Sequence, residues 1–143
     1  LEPTITVIDH SADLKQAFDI RKRVFVEEQG VPLSEEIDEW DQSAIHFLAV
    51  DREQAVGTAR LRLPTKSTGK VERVAVLKSS RGSGLGHSLM VAIEDYARKQ
   101  NVEELILNAQ VQALDFYRKL GYRQQGPIFM DAGIEHMEMR KPL

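Results

Sequence analysis

The spacing of apolar residues changes twice between residues 55 and 109, and those changes limit what this chain can fold into. From Ala55 to Leu63, the apolar positions Ala59, Leu61 and Leu63 alternate with Arg60 and Arg62. A period of two marks a strand with one buried face and one wet face. Lys70 to Val76 reads as the next strand, after a turn at Thr65 to Gly69. A Gly/Ser loop follows, and then Leu85, Leu89, Ile93 and Tyr96 fall at helical spacing in a segment from about Gly84 to Lys99. Glu104 to Ala109 is a short buried strand around Leu105, Ile106 and Leu107. A strand, a helix and a second strand joined in this way form a right-handed parallel unit.

The flanking segments complete the pattern. Thr4 to Ile8 is a short β-branched strand, and Ser11 is placed to cap a helix that starts near Leu14. Leu14, Phe18, Arg21 and Phe25 share one face of that helix, which loses its pattern near Gln29-Gly30. His46 to Val50 adds a strand to an antiparallel meander. Val111 to Leu120 is a helix stopped by Gly121, and β-like sequence from Tyr122 ends in a strand at Ile134 to Arg140. The sum is an α/β (α+β) fold: a mixed, mostly antiparallel sheet with one parallel crossover and helices on its faces. A length of 143 residues suits a single domain, 1–143.

Charge and composition narrow the chemistry. A net charge of -3 gives no general attraction to nucleic acid or to anionic membranes, so a bound anion needs a local site. The absence of cysteine removes disulfides, thiolate zinc sites and cysteine nucleophiles, and fits a cytoplasmic location. No signal peptide and no run of membrane-spanning length is expected. The histidines at 10, 46, 87 and 136 have no metal-ligand spacing, so no metal is expected. Without a G-x-S-x-G elbow there is no serine nucleophile of that type.

The loop before the second helix carries the strongest signal. Gly82, Gly84 and Gly86 lie between a strand and a helix N-terminus, where bare backbone and unpaired N–H groups can approach phosphate. Arg81 adds a forked cation and Ser83 a hydroxyl. The loop ends Gly86-His87-Ser88, which is not the Gly-Lys-Ser/Thr of a Walker loop, and its glycines do not fit G-x-G-x-x-G. Arg81-x-x-Gly84-x-Gly86 describes it best, and a pyrophosphate is the anion it suits. A glycine-rich turn without a ligand is the competing reading.

Val74-Ala75-Val76, followed at five residues by Arg81-Gly82-Ser83-Gly84-Leu85-Gly86, resembles the acetyl-CoA motif of the GNAT superfamily of N-acetyltransferases. Asn108-Ala109 and the segment with Phe116, Tyr117 and Gly121-Tyr122 resemble that superfamily's second cofactor segment. Arg21-x-x-Val24-Phe25-Val26-Glu27-Glu28-Gln29, the acidic run, His46 and the segment Gly133 to Met137 resemble its small bacterial ElaA/YjcF-like branch.

The resemblance implies acetyl-CoA as co-substrate, direct attack by a primary amine within a ternary complex, and a small-molecule acceptor. It implies backbone of Val74, Ala75 and Val76 along the pantetheine arm, with the Val76 N–H as oxyanion donor. Residues Arg81 to Gly86, including Leu85, would hold the pyrophosphate, while Asn108 and Phe116 would flank the arm. Tyr117 matches the general acid that protonates the departing thiolate.

Glu72 is the first choice of base, with His136 and His46 as rivals. Period two places Glu72 on the face of Val74 and Val76, and an imidazole suits the role near neutral pH. Glu28, His46 and His136 fall where the branch builds its acceptor pocket. The acidic run Glu35 to Asp41 reads as a solvated face, with Trp40 anchoring it to the core. A protein lysine or N-terminus as acceptor, a non-catalytic acyl-CoA-binding module and a homodimer also stay open.

Overall fold

The computed structural model describes residues 3–143. Strands β1 (Thr4–Val7), β2 (Ile45–Asp51), β3 (Gln54–Arg62), β4 (Thr68–Val76), β5 (Glu104–Gln110), β6 (Arg123–Asp131) and β7 (Ile134–Pro142) form one sheet. Their order is β1-β2-β3-β4-β5-β7-β6, and only β4 and β5 run parallel. Helices α1 (Ser11–Arg21) and α2 (Leu33–Glu36) precede β2, α3 (Leu85–Lys99) makes the crossover, and α4 (Leu114–Lys119) follows β5. This is the mixed, mostly antiparallel sheet with one parallel crossover that the sequence predicts.

Helices cover both faces. Leu85, Leu89, Met90, Ile93 and Ala97 of α3 pack on Phe47, Leu61, Val71, Leu105 and Leu107. Ala17 and Ile20 of α1, with Val24 just beyond it, pack on Leu48 and Ala75 of the other face. That second cover changes one expectation. The arginine face of β3 is not wet, and Arg60 is only 1% exposed. Helix α1 also begins earlier than its apolar pattern suggests. The cap is His10, whose Nδ1 accepts the Ala12 N–H at 3.1 Å, and Ser11 is already inside the helix. Past Arg21 the helix widens into π-helical turns over Lys22–Glu28, which no propensity announces.

The acidic run is not a solvated face. Glu36 and Asp41 are buried, and Arg21 takes both: Nε to Glu36 Oε1 at 2.6 Å and Nη1 to Asp41 Oδ1 at 2.6 Å. Arg60 joins through Asp41 and Asp38. Paired and hydrogen-bonded in this way, the charges tolerate burial. Trp40 does not anchor the segment in the core. It is 44% exposed, with the Arg62 guanidinium over its ring at 4.6 Å.

One residue in β4 sets the geometry of the site. Glu72 pairs with Arg60 and Ala75 with Thr58, so two residues of β4, Arg73 and Val74, oppose Ala59 alone. Arg73 takes φ 56°, the left-handed conformation of a β-bulge. The bulge resets the alternation of side chains. Glu72 and Ala75 face α1, while Val74 and Val76 pack on the α3 side.

Candidate active site

Strands β4 and β5 pair only from Thr68–Val71 against Glu104–Leu107. Beyond Val71 and Leu107 they part, and β7 takes up the other edge of β5 as far as Gln110. The free edge of β4 therefore faces a gap. Leu77 N–H donates to Val56 O across β3 at 2.8 Å. Backbone direction alternates along a strand, so the Val76 N–H one residue earlier points into the gap.

The wider part of the gap is a cavity of about 460 Å³ lined by Val74, Asn108, Tyr117, His136, Gln29 and Arg73, among others. Tyr117 is 9% exposed, its ring edge-on to Phe116 at 4.9 Å and to Tyr122 at 5.9 Å. Its hydroxyl has no hydrogen-bond partner among the described residues. Burial pushes the phenol up to about 12, so the group keeps its proton at neutral pH. Tyr122 is itself fixed by donating to the buried Glu94 at 3.0 Å.

The expected pyrophosphate loop sits at the start of α3. Gly82 (φ 81°) and Gly84 (φ 87°) are left-handed, a conformation that costs glycine little. The first helical N–H with an intrahelical partner is that of Ser88, donating to Gly84 O, so those of Leu85, Gly86 and His87 are left for a ligand. A side chain at Gly86 would meet Phe116 Cζ at 3.2 Å, so the loop and α4 close on each other there. Arg81 Nε donates to Val76 O at 2.9 Å, joining the loop to the end of β4, and Ser83 Oγ donates to Ser80 O at 2.6 Å.

The structure redistributes the acceptor-side candidates. Glu72 does not share a face with Val74 and Val76, because the bulge intervenes. It accepts from Arg62 Nε at 2.6 Å and Arg60 Nη2 at 2.9 Å. Burial alone would raise its pKa, but the hydrogen bond from Arg62 and the charges of Arg60 and Arg62 hold it below the usual range. A carboxylate so stabilised is a weak base. His46 lies under α1, edge-on to Phe18 and bonded through Nε2 to Asp41 O at 2.9 Å, and it does not line the cavity. Burial lowers its pKa. Glu28 sits outside the cavity as well, paired with Arg81 Nη2 at 2.9 Å.

His136 does line the cavity. Its Nδ1 donates to Ile134 O at 2.7 Å and its ring stacks on Phe129, which leaves Nε2 with a lone pair in the neutral ring. Sequence reasoning missed Arg73 and Gln110, and met Gln29 only as the end of a motif, without a role. The last two close one end of the gap by a side-chain hydrogen bond of 2.8 Å. Only Arg21 gave a signal, as a charge on the apolar face of a helix followed by an acidic run.

Residues 10–143 match the family model for the acetyltransferase (GNAT) domain. The uncharacterised N-acetyltransferase YjcF of Bacillus subtilis is 44% identical over 136 residues, 94% of this chain and 96% of that protein. A crystal structure from Lactobacillus plantarum superposes with a TM-score of 0.93 at 26% identity, covering 100% of this chain and 99% of that one. A GNAT structure from Elizabethkingia anophelis with acetyl-CoA bound shares the fold at a TM-score of 0.80 and 18% identity, covering 99% and 98%. With a split sheet, a glycine-rich loop and a match over nearly its whole length, this chain belongs to the GNAT family of N-acetyltransferases.

Proposed function

We propose that this protein transfers an acetyl group from acetyl-CoA to a primary amine by direct attack, both substrates being bound together. The observation that carries this reading is the gap between β4 and β5, with the unpartnered Tyr117 hydroxyl in its wall. The residues fit the cofactor. The free N–H groups at the start of α3, with Arg81, suit its pyrophosphate, and the unpaired edge of β4 suits an amide-bearing arm. Acetyl-CoA, as bound in the Elizabethkingia anophelis relative, would supply the electrophilic thioester carbonyl.

The residues of the chain then divide the work. The Val76 N–H donates to the oxygen where negative charge develops. His136 Nε2 takes the proton of the attacking amine, directly or through water. Tyr117 gives its proton to the sulfur as the C–S bond breaks, through a hydroxyl that no group among the described residues holds. Glu72 serves as a fixed charge that orients Arg60 and Arg62.

Titration calorimetry tests the reading directly. Acetyl-CoA is expected to bind, with NADH and ATP at least about ten-fold weaker, a difference of 1.4 kcal/mol. Release of free thiol with an amine panel follows. Equal or absent binding by folded protein overturns the assignment, and binding without thiol release for any amine reduces the protein to a binding module.

A further inference from the structure

The wall of the cavity belongs to a charge network that does not balance. Arg21, Arg60, Arg62, Lys70 and Arg73 lie within ion-pair distance of Glu36, Asp38, Asp41 and Glu72. Five cations therefore share four carboxylates, and among the described residues no further carboxylate joins them. Lys70 and Arg73 are the cations of the network that line the cavity, with Glu36 and Glu72 among its carboxylates. Lys70 reaches Glu72 only at 4.0 Å.

Arg73 is held with one nitrogen of its guanidinium uncommitted. Its Nε donates to Glu36 O at 3.1 Å, and its Nη2 is shared by Glu36 O, Glu35 O and Asp38 Oδ2. Its Nη1 has no acceptor among the described residues. The bulge puts Arg73 immediately before Val74, where β4 leaves β5. Burial, with repulsion from Arg60 and Arg21, lowers its pKa below the ordinary arginine value, as expected for a cation whose charge is incompletely matched.

Building on the acetyl-transfer reading, we infer that the acceptor is an amine that also bears a carboxylate, and that Arg73 receives that carboxylate through Nη1. A single uncommitted guanidinium nitrogen matches a monoanion better than a phosphate dianion, and its two N–H groups suit a carboxylate. The opposite pole is present as well. Glu35 and Asp131 line the cavity without an ion pair among the described residues, so a zwitterion finds both signs there. Arg73 is in this scheme a specificity-determining residue.

The test compares matched amines by thiol release. α- and ω-amino acids are each paired with the amine left after removal of the carboxyl group, and the dissociation constant of acetyl-CoA is measured in parallel. The best amino acid is expected to exceed its partner in kcat/KM by at least about ten-fold, the scale of one charge-assisted hydrogen bond. Arg73→Gln is expected to bring that ratio close to one through KM for the amino acid, with acetyl-CoA affinity unchanged. Arg73→Lys, keeping the charge without the fork, should restore part of the preference. Equal turnover within every pair, turnover of the decarboxylated amines alone, or no turnover of any amino acid overturns the inference. The wild-type comparison stands even if the variants fail to fold. Loss of acetyl-CoA binding in the wild type is the separate result that would remove the function itself.

Discussion

Replacing Tyr117 by Phe removes one oxygen and keeps a ring that packs edge-on against both Phe116 and Tyr122. The hydroxyl has no protein partner among the described residues, so its loss breaks no internal hydrogen bond. Stability should therefore stay within about 0.5 kcal/mol of the parent. Chemistry should not. General acids typically contribute about 10²- to 10⁴-fold, and a thiolate is a tolerable leaving group, so the lower end applies. A fall of about 100-fold in kcat corresponds to about 2.7 kcal/mol of lost transition-state stabilisation. Thiol release at saturating acetyl-CoA reads kcat, calorimetry reads cofactor affinity, and urea unfolding reads stability. The reasoning fails if Tyr117→Phe keeps more than about a third of kcat. It also fails if the loss of rate follows equal losses of acetyl-CoA affinity or stability, which would make Tyr117 a packing residue.

Three further outcomes follow from the geometry. Glu36→Gln should destabilise by about 3–5 kcal/mol in urea, because it leaves Arg21 short of a buried carboxylate, whereas the exposed neighbour change Glu35→Gln should stay within about 0.5 kcal/mol. Gly86→Val should weaken acetyl-CoA binding by ten-fold or more in calorimetry, since even its Cβ meets Phe116 Cζ at 3.2 Å; unchanged affinity would show that the loop and α4 need not close. Stability should also vary with pH at both ends. Asp41, Asp38 and Glu72 are held below their ordinary values once the arginine hydrogen bonds and charges outweigh burial, so their contribution is complete above about pH 4 and is lost as pH falls below it. Tyr117 is raised to about 12, so its contribution is complete below about pH 10 and is lost as pH rises towards 12. Urea midpoints that are flat from pH 7 to 3 would refute the acid limb, and flat midpoints from pH 9 to 11.5 the alkaline one.

What could be read from the sequence was what repeats or what glycine announces. Leu85, Leu89 and Ile93 gave α3 because helical spacing needs no partner to be recognised, and Gly84 gave the start of that helix through its backbone requirement. Arg60 and Arg62 misled because alternation reports only that two faces differ. It cannot say that a second helix covers the polar one. The acidic run misled in the same way, since its cations Arg21 and Arg60 lie 15 or more residues away. The bulge at Arg73 left no trace at all, because a left-handed arginine is fixed by cross-strand register and not by local preference. Glu72 was placed on the wrong face for that reason alone.

That single left-handed residue also divides β4 into two segments with independent parity. Up to Glu72 the strand serves the arginine network, and from Val74 onward its edge serves the gap. Exchange of side chains within either segment leaves the other in register. Straightening Arg73 at unchanged length would not: strict alternation from Glu72 to Val76 would turn the Glu72 side chain, or else Val74 and Val76, to the opposite layer, whereas removal of Arg73 itself would keep both facings. Such a strand should accept substitution on either side of the bulge more readily than loss of the left-handed conformation at Arg73. Divergence in the acceptor that proteins of this design acetylate can then proceed by altering residues on either side of a fixed bulge.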